Sequence, residues 1–173
     1  MKEEFLQYIW RSSLYKNDQL QTHDGKSIQV IKPGILNKDA GPDFFNSKLM
    51  IDGTVWAGNV EIHLSSSEWM LHGHQFDSAY NNVVLHVVYE HDEEIVNQLG
   101  KVIPTLELRS LISPTVIARY KNLSLGKKWI ACENMLDQLD KEKIKPFYYR
   151  LYIERLEDKA RYIQQDMVSN KNN

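Results

Sequence analysis

Two short motifs bring together residue types that bind a divalent metal. The segment Gly41–Phe44 places Asp43 just before one predicted strand, and the segment Gly58–His63 places Glu61 within the next. Two carboxylates, together with water and a substrate phosphate, are a ligand set that Mg²⁺ or Mn²⁺ accepts. Such an ion generates hydroxide and offsets charge that develops on a phosphate. The pair therefore predicts a metal-dependent, nuclease-like phosphodiesterase with Asp43 and Glu61 as metal ligands and catalytic residues.

His63 completes the predicted catalytic set. It follows Glu61 by two positions on a strand predicted over 54–64, and side chains alternate along a strand, so both lie on one face. A protonated imidazole would stabilise charge on the phosphate, whereas a neutral one would act as a base toward water. Taken singly, Asp43 after Gly-Pro also fits a turn, and Glu61 also fits the solvent face of a strand. The combination of the three residues favours a functional site.

Four more residues are secondary candidates for the same site, namely His72, His74, Asp77 and His86. His72 and His74 are two positions apart, so they share one side of an extended segment. With His63, Asp77 or His86 they would supply three protein ligands, which makes a His-ligated zinc hydrolase an alternative. No His-Glu-x-x-His motif supports that alternative. His86 lies in an apolar run and is expected to be buried with a hydrogen-bond partner.

The composition sets limits on partners and compartment. The chain has 173 residues, 42% of them hydrophobic, and a net charge of -2, whereas a nucleic-acid-binding protein usually carries a basic surplus. Nucleic acid is therefore an expected partner only if positive charge is concentrated locally. Cys132 is the one cysteine, which excludes an intrachain disulfide and a Cys-rich zinc site. A charged N-terminus and the lack of a long apolar run predict a cytoplasmic protein without a membrane partner.

Hydrophobic periodicity and turn residues predict the elements that position these side chains. Asp24-Gly25 and Asp52-Gly53 each separate two alternating segments and predict two hairpins. The run 82–89 is apolar on both faces and predicts a central strand, while Pro104 places the last strand at an edge or a bulge. Gly58 marks a bulge or a close backbone approach. In full, the prediction is a helix over 3–15, strands over 19–23, 26–31, 44–51, 54–64, 82–89 and 101–108, a loop over 35–41, and a short helix from Glu68.

The C-terminal third has a helical pattern. Ser113-Pro114 fits an N-cap followed by proline at the first helical position. The segment 146–167 carries an apolar stripe among charges, which predicts a long amphipathic helix. We therefore predict an α/β core over 1–112 and a helical extension over 113–173. The stripe needs a cover, which we expect from the core, from a second copy of the chain or from chain beyond Asn173.

Several blocks of the sequence resemble the uncharacterised bacterial domain-of-unknown-function family 2851, and together they extend over about residues 5–163. That family has no assigned function, so the resemblance implies membership rather than an activity. Its members run to more than twice this length with a further helical part, which implies that this chain stops within that part. The blocks are Tyr8–Trp10, Thr22–Gly25, Gly41–Phe44, Trp56–His63, Ser67–Trp69, His72–His74 with Asp77, Ala79–Val88, Ile103–Leu108 and Glu154–Leu156.

A second and more distant resemblance is to the PD-(D/E)XK nuclease superfamily, whose core runs helix, three strands, helix, strand. Pro42-Asp43 and Glu61-Ile62-His63 fall in the matching order on the matching elements. The resemblance implies a restriction-endonuclease-like mixed sheet flanked by helices, with a C-terminal helical extension. His63 stands where that superfamily carries lysine, and Lys26 and Lys48 are the nearest lysines. The departure leaves a non-catalytic binding or scaffold domain with a nuclease-like fold as the alternative.

Overall fold

The computed structural model describes residues 1–18, 20–125 and 139–170. Its contacts divide the chain into two compact units, Met1–Asn122 and Leu123–Asn173. Cys132 and the helical pattern expected around it lie outside the described residues, as do Gln19 and the last three residues of the chain.

The described residues form four helices and six strands. In chain order these are α1 (Glu3–Arg11), β1 (Ile28–Lys32), β2 (Ile35–Leu36), β3 (Phe44–Ile51), β4 (Thr54–Ser65), α2 (Glu68–Leu71), β5 (Val83–Glu90), β6 (Thr105–Glu107), α3 (Pro114–Leu125) and α4 (Lys141–Asn170). Two 3₁₀ turns, His74–Phe76 and Ser78–Tyr80, lie between α2 and β5.

The six strands form one mixed sheet in the order β1-β3-β4-β5-β6, with β2 paired to the start of β3. The neighbours of β3 are antiparallel to it, whereas β5 is parallel to β4 and β6 is parallel to β5. A parallel pair needs a crossover connection, and the chain between β4 and β5 supplies it with α2 and the two 3₁₀ turns. The predicted α/β class with a mixed sheet and helices is confirmed.

The hairpin of β3 and β4 forms as the sequence predicts. Asp52 and Gly53 turn the chain with φ values of 48° and 75°, and the ladder runs from Ile51 opposite Thr54 back to Phe44 opposite Val60. Left-handed φ values at both central residues are those of the tight turn that Asp-Gly favours. The turn therefore fixes which residues of β4 face each side.

Two elements near the N-terminus differ from the sequence-based prediction. The first helix ends at Arg11 because Ser13 has a left-handed φ of 51°, which cannot continue a helix. The Asp24-Gly25 turn closes one bridge, between Gln21 and Ser27, in place of a long hairpin.

The last predicted strand is shorter than expected and lies at an edge of the sheet. Pro104 has no N–H to donate, and its carbonyl accepts from the His86 N–H at 2.9 Å. The ladder with β5 starts one residue later, at Thr105. The expected loop over 35–41 also contains a strand, because Ile35 and Leu36 pair with the start of β3.

Both faces of the central strands are buried. On one face Val60 and Ile62 pack in the same core as the apolar side of α1, whose buried residues Phe5, Leu6, Ile9 and Trp10 recur at helical spacing. Burying each such side chain contributes about 1.5–3 kcal/mol. A second, smaller cluster is formed by Trp69, Tyr80, Val83, Ile95 and Ile103. The central position predicted for 82–89 is confirmed, since β5 lies between β4 and β6.

Gly58 is a point of close approach, as predicted from its place in β4. A Cβ on this residue would lie 2.6 Å from the backbone oxygen of Asn82 and even closer to a methyl group of Val84. Because the Asn82 oxygen already accepts from the Asn59 N–H at 2.8 Å and cannot withdraw cheaply, we expect Gly58→Ala to lower the free energy of unfolding by about 1–3 kcal/mol. Urea denaturation would measure the loss.

Ala57→Ser is the matched control for that substitution, because Ala57 is exposed on the same strand. We expect the control to change stability by less than about 0.5 kcal/mol. Equal stability of Gly58→Ala and the wild-type protein would contradict the close approach.

The second unit contains the 30-residue helix α4, which begins before the predicted 146–167 segment and contains Pro146. Its apolar side chains are solvent-exposed within the described residues, with Leu151 at 43% and Ile163 at 60%. Among the described helices, none is both long enough and apolar enough to cross a bilayer.

Candidate metal centre

Three histidine side chains converge beside β4, and we refer to His63, His72 and His74 as the histidine cluster. Each can offer a ring nitrogen such that the three atoms lie within 4.8 Å of one another. His63 Nε2 lies 3.1 Å from His72 Nδ1. His63 and His74 are buried while His72 is exposed, so one side of the cluster is open to solvent.

Glu61 adds a carboxylate oxygen to the histidine cluster. Its Oε1 atom lies 3.5 Å from His63 Nε2 and 3.3 Å from His74 Nε2. A tetrahedral ion with bonds of about 2.0–2.1 Å separates any two of its ligand atoms by about 3.3 Å. The separations of 3.1, 3.3 and 3.5 Å match three edges of such a tetrahedron. Three of the six donor pairs therefore have the spacing of ligands on one ion, and the three histidine nitrogens as a set lie within 4.8 Å of one another.

The local fold explains why the histidines meet. Glu61 and His63 share a face of β4, while α2 folds back toward the end of that strand because the Glu68 carboxylate accepts from the Leu64 N–H at 2.8 Å. His72 caps the end of α2 and His74 begins the next 3₁₀ turn. Gly73 between them has a left-handed φ of 76°, which only glycine adopts at no steric cost. This turn directs both imidazoles toward His63.

His86 supports the histidine cluster from behind. This fully buried residue on β5 places its Nε2 atom 2.8 Å from His63 Nδ1. A hydrogen bond to the outer ring nitrogen of a histidine fixes its orientation and leaves the inner nitrogen free to bind an ion. The expectation of a buried, hydrogen-bonded His86 is confirmed.

Asp43 and Glu61 are held together by a reciprocal pair of backbone bonds. The Asp43 N–H donates to Glu61 Oε2 at 2.9 Å, and the Ile62 N–H donates to Asp43 Oδ2 at 3.0 Å. Asp43 Oδ1 accepts from the Gln7 side chain at 2.8 Å. Both oxygens of Asp43 therefore have hydrogen-bond donors, while Oε1 of Glu61 faces the histidine cluster. The role of Asp43 as a metal ligand stays a prediction.

Three carboxyl groups share this region, since Glu3 on α1 joins Asp43 and Glu61. Burial raises the pKa of Glu3 to about 7, and repulsion from Asp43 and then Glu61 adds to the effect. Burial likewise raises the pKa of Asp43, with Glu61 as the next cause, and burial raises the pKa of Glu61. Crowded carboxyls of this kind are stabilised by a bound cation.

The pKa values of three histidines at this site are lowered, which is the direction that favours metal binding. Burial, followed by the other two histidines of the cluster, lowers the pKa of His63 to about 3. Burial also lowers the pKa of His74 and holds that of His86 well below its usual range. His74 Nε2 is buried without a hydrogen-bond partner among the described residues. Neutral rings with an unused lone pair are what a metal ion binds.

Two functional candidates were not foreseen from the sequence. Glu3 and Gln7 lie one helical turn apart on α1, so they share a face, and Gln7 reaches Asp43 across 36 positions of sequence. The one feature of the local sequence that indicates these two residues is their helical spacing, which places two polar side chains on the same face of α1. The predicted candidate Asp77 is exposed, and its Oδ1 accepts from the Ala79 N–H at 2.8 Å, which caps a 3₁₀ turn.

The carboxyl groups make the metal-free protein sensitive to alkaline pH. A carboxyl with a raised pKa stabilises the fold while protonated, and this contribution is lost as the pH rises through about 7 for Glu3. The lowered pKa values of the histidines act oppositely, but their contribution is nearly complete above the ordinary value of 6.5. Most of the carboxyl contribution is lost between about pH 4.5 and about pH 7, where the histidines act oppositely, so we expect only a small further fall in the free energy of unfolding, about 1 kcal/mol or less, between about pH 7 and about pH 8.5. Glu61→Gln should flatten this fall, because it removes one carboxyl and its repulsion of Asp43 and Glu3.

Urea denaturation with a chelator present, at both pH values, measures this effect. Glu4→Gln is the matched control, since Glu4 is exposed on α1. If the free energy of unfolding of Glu61→Gln depended on pH as that of the wild-type protein does, the buried carboxyls would not be the cause of this dependence.

The fold and the site together define an α/β domain with a candidate metal centre on a buried face of a mixed sheet. The chain belongs to the family described as protein of unknown function (DUF2851), whose sequence profile matches residues 3–173. This membership confirms the family resemblance that the sequence blocks indicate. No curated protein and no solved structure matches the chain.

Proposed function

We propose that this domain is a metal-dependent hydrolase whose ion, of the zinc class, is held by His63, His72 and His74, with the Glu61 carboxylate beside the position that a water would take. The observation that carries the proposal is the convergence of one ring nitrogen from each of the three histidines, within 4.8 Å of one another, with Glu61 Oε1 at 3.3 and 3.5 Å from two of them. Imidazole nitrogens suit zinc and its transition-metal neighbours better than Mg²⁺. The donor set thus shifts the favoured ion from Mg²⁺ or Mn²⁺ to Zn²⁺.

The side chains of the site have separable tasks in hydrolysis. An ion of this class lowers the pKa of a bound water to about 7 and so supplies hydroxide at neutral pH. Glu61 is held at Oε2 by the Asp43 N–H, so its Oε1 is positioned beside the histidine cluster to accept a proton from a water bound there. His86 orients His63 through the outer nitrogen. The exposed His72 marks the side from which water and substrate enter.

We propose a phosphodiester as the substrate and a restriction-endonuclease-like fold as the frame. With the two-residue strand β2 set aside, the order α1, β1, β3, β4, α2, β5 supports this frame, because it follows the helix, three strands, helix, strand order implied by the nuclease resemblance. Asp43 precedes the second of those strands, and Glu61 and His63 lie on the third. Nucleic acid is the partner that this substrate class implies.

A second candidate function uses the carboxylates without the histidines. In it Asp43 and Glu61 bind Mg²⁺ or Mn²⁺, and His63 orients water. The proximity of Glu3 to both carboxyls favours it, since burial raises the pKa of all three groups and repulsion from Asp43 and Glu61 adds to the rise at Glu3, as in an acidic site that a cation would stabilise.

Metal analysis and hydrolysis assays test the proposal together. We expect protein purified without added metal to retain zinc at roughly one ion per chain, and the zinc-loaded protein to hydrolyse bis(p-nitrophenyl) phosphate. Glu61→Gln should lower both zinc retention and hydrolysis. Binding of Mn²⁺ alone, lost in Asp43→Asn and kept in His72→Ala, would favour the second candidate. Zinc retention without hydrolysis of any phosphodiester would instead favour a scaffold domain.

A further inference from the structure

We infer that Lys32 and Lys48 form a binding site for a phosphoryl anion, on the same sheet face as the metal centre. The inference rests on the proposed function for its role in catalysis. It names residues that would hold a second phosphate of the substrate, at a distance from the ion. Lys32 is the last residue of β1, and Lys48 lies on the neighbouring strand β3. Both side chains are exposed.

The two lysines are an unfavourable pair in the absence of an anion. Lys32 and Lys48 stand directly opposite each other in the antiparallel ladder of β1 and β3. Like charges in that relation destabilise a sheet. Among the described residues, neither lysine forms an ion pair with a carboxylate. Two unneutralised cations held side by side are therefore suited to share one bound anion.

The surroundings of the lysines offer further donors and no acid. An open cavity of about 350 Å³ is lined by Lys32 and Lys48 with Asn46 and Asn82, and no carboxylate contributes to its lining. Asn46 has a left-handed φ of 57° at an irregularity of β3, an unusual conformation that brings the chain to this cavity. Gly58 forms part of the wall and has no side chain to fill it. Ammonium and amide groups together match the acceptor oxygens of a phosphoryl group.

The position of this cavity relates it to the metal centre. Lys48 pairs with Ala57 across β3 and β4. Ala57, Glu61 and His63 alternate with inward residues on β4 and so share one face. Four residues of strand separate Ala57 from Glu61 by about 13 Å. A substrate with a second phosphate, or with a phosphate chain, would reach both places along one strand.

Anion binding by the chelator-treated full-length chain tests the site apart from the metal. The probes are inorganic phosphate, a mononucleotide and a fluorescent single-stranded oligothymidylate, followed by thermal shift for the first two and anisotropy for the third. We expect at least one probe to bind, and Lys32→Gln/Lys48→Gln to weaken that binding about tenfold or more, with a smaller salt dependence. Lys121→Gln is the matched control, because Lys121 is exposed on α3.

The outcomes separate the sources of the phosphate and the two proposals. Binding of phosphate or mononucleotide identifies a small ligand, whereas binding of the oligonucleotide alone identifies a phosphate chain. In His72→Ala we expect anion binding to persist even though metal retention falls. If no probe binds, or if Lys121→Gln weakens binding as much as the double substitution, the inference is wrong. Failure of zinc retention with intact anion binding would overturn the proposed metal centre and leave this site standing.

Discussion

Replacing His72 by alanine is expected to lower the affinity for zinc at least about 100-fold while the fold stays intact. Changes to groups that merely support a metal ligand cost about 10–100-fold in affinity, so loss of a ligand should reach or exceed that range. His72 is exposed, and its contact with His63 Nε2 at 3.1 Å is part of the histidine cluster rather than the core. Competition with a chromophoric chelator measures the affinity, and circular dichroism verifies the fold.

His23→Ala is the matched control for this substitution. His23 is also exposed, and its ring lies 3.7 Å between centroids from that of His91 with a tilt of 38°, outside the histidine cluster. We expect the control to bind zinc as the wild-type protein does. Zinc affinity equal in His72→Ala and the wild-type protein would remove His72 from the metal site.

Trp69→Ala should give the largest loss of stability, about 3–5 kcal/mol. The indole is fully buried at the centre of the smaller core cluster, and its N–H donates to the Val96 carbonyl at 3.0 Å. Alanine would leave a cavity and an unpaired carbonyl at once. The ring also meets His74 and His86 edge-on, at 5.3 and 5.5 Å between centroids. Zinc affinity should therefore fall as well, because His74 loses the surface that orients it.

Two comparisons sharpen the Trp69 experiment, which equilibrium urea denaturation would measure. Trp56→Ala removes an indole that is 38% exposed on β4, so its cost should be clearly smaller. Trp69→Phe keeps a ring but loses the N–H, and should restore part of the stability and most of the zinc affinity. A Trp69→Ala protein as stable as Trp56→Ala would show that the smaller cluster contributes little to the fold.

The β3 and β4 hairpin was predictable because its information is local. Asp52-Gly53 specifies the turn, alternation specifies the faces, and so the sharing of one face by Glu61 and His63 follows from sequence alone. The helical spacing in α1 and the apolar run of β5 are equally local signals. The bounds of β5 agree within one residue at each end, whereas α1 begins as predicted but ends at Arg11, four residues before the predicted end.

The make-up of the site was less predictable because it depends on contacts between distant residues. The sequence shows two carboxylates, but it does not show that the Ile62 N–H and the Gln7 side chain donate hydrogen bonds to the Asp43 carboxylate. It shows His72 and His74 but not that a left-handed Gly73 turns both toward His63. The shift from a carboxylate site to a histidine-rich one therefore comes from tertiary packing.

Because side chains alternate between the two faces of β4, the register of this strand against β3 also decides whether the metal site forms. A slip of one residue against β3 would carry Glu61 and His63 under α1 and turn Val60 and Ile62 toward the histidine cluster. The misregistered hairpin would move two polar groups into the apolar core and would also remove two of the four side chains of the site. An ion that binds the correctly paired sheet alone would draw the folding equilibrium toward it by mass action. The amount of retained metal would then report the fraction of chains in which β3 and β4 are correctly paired, since only those chains keep the ion.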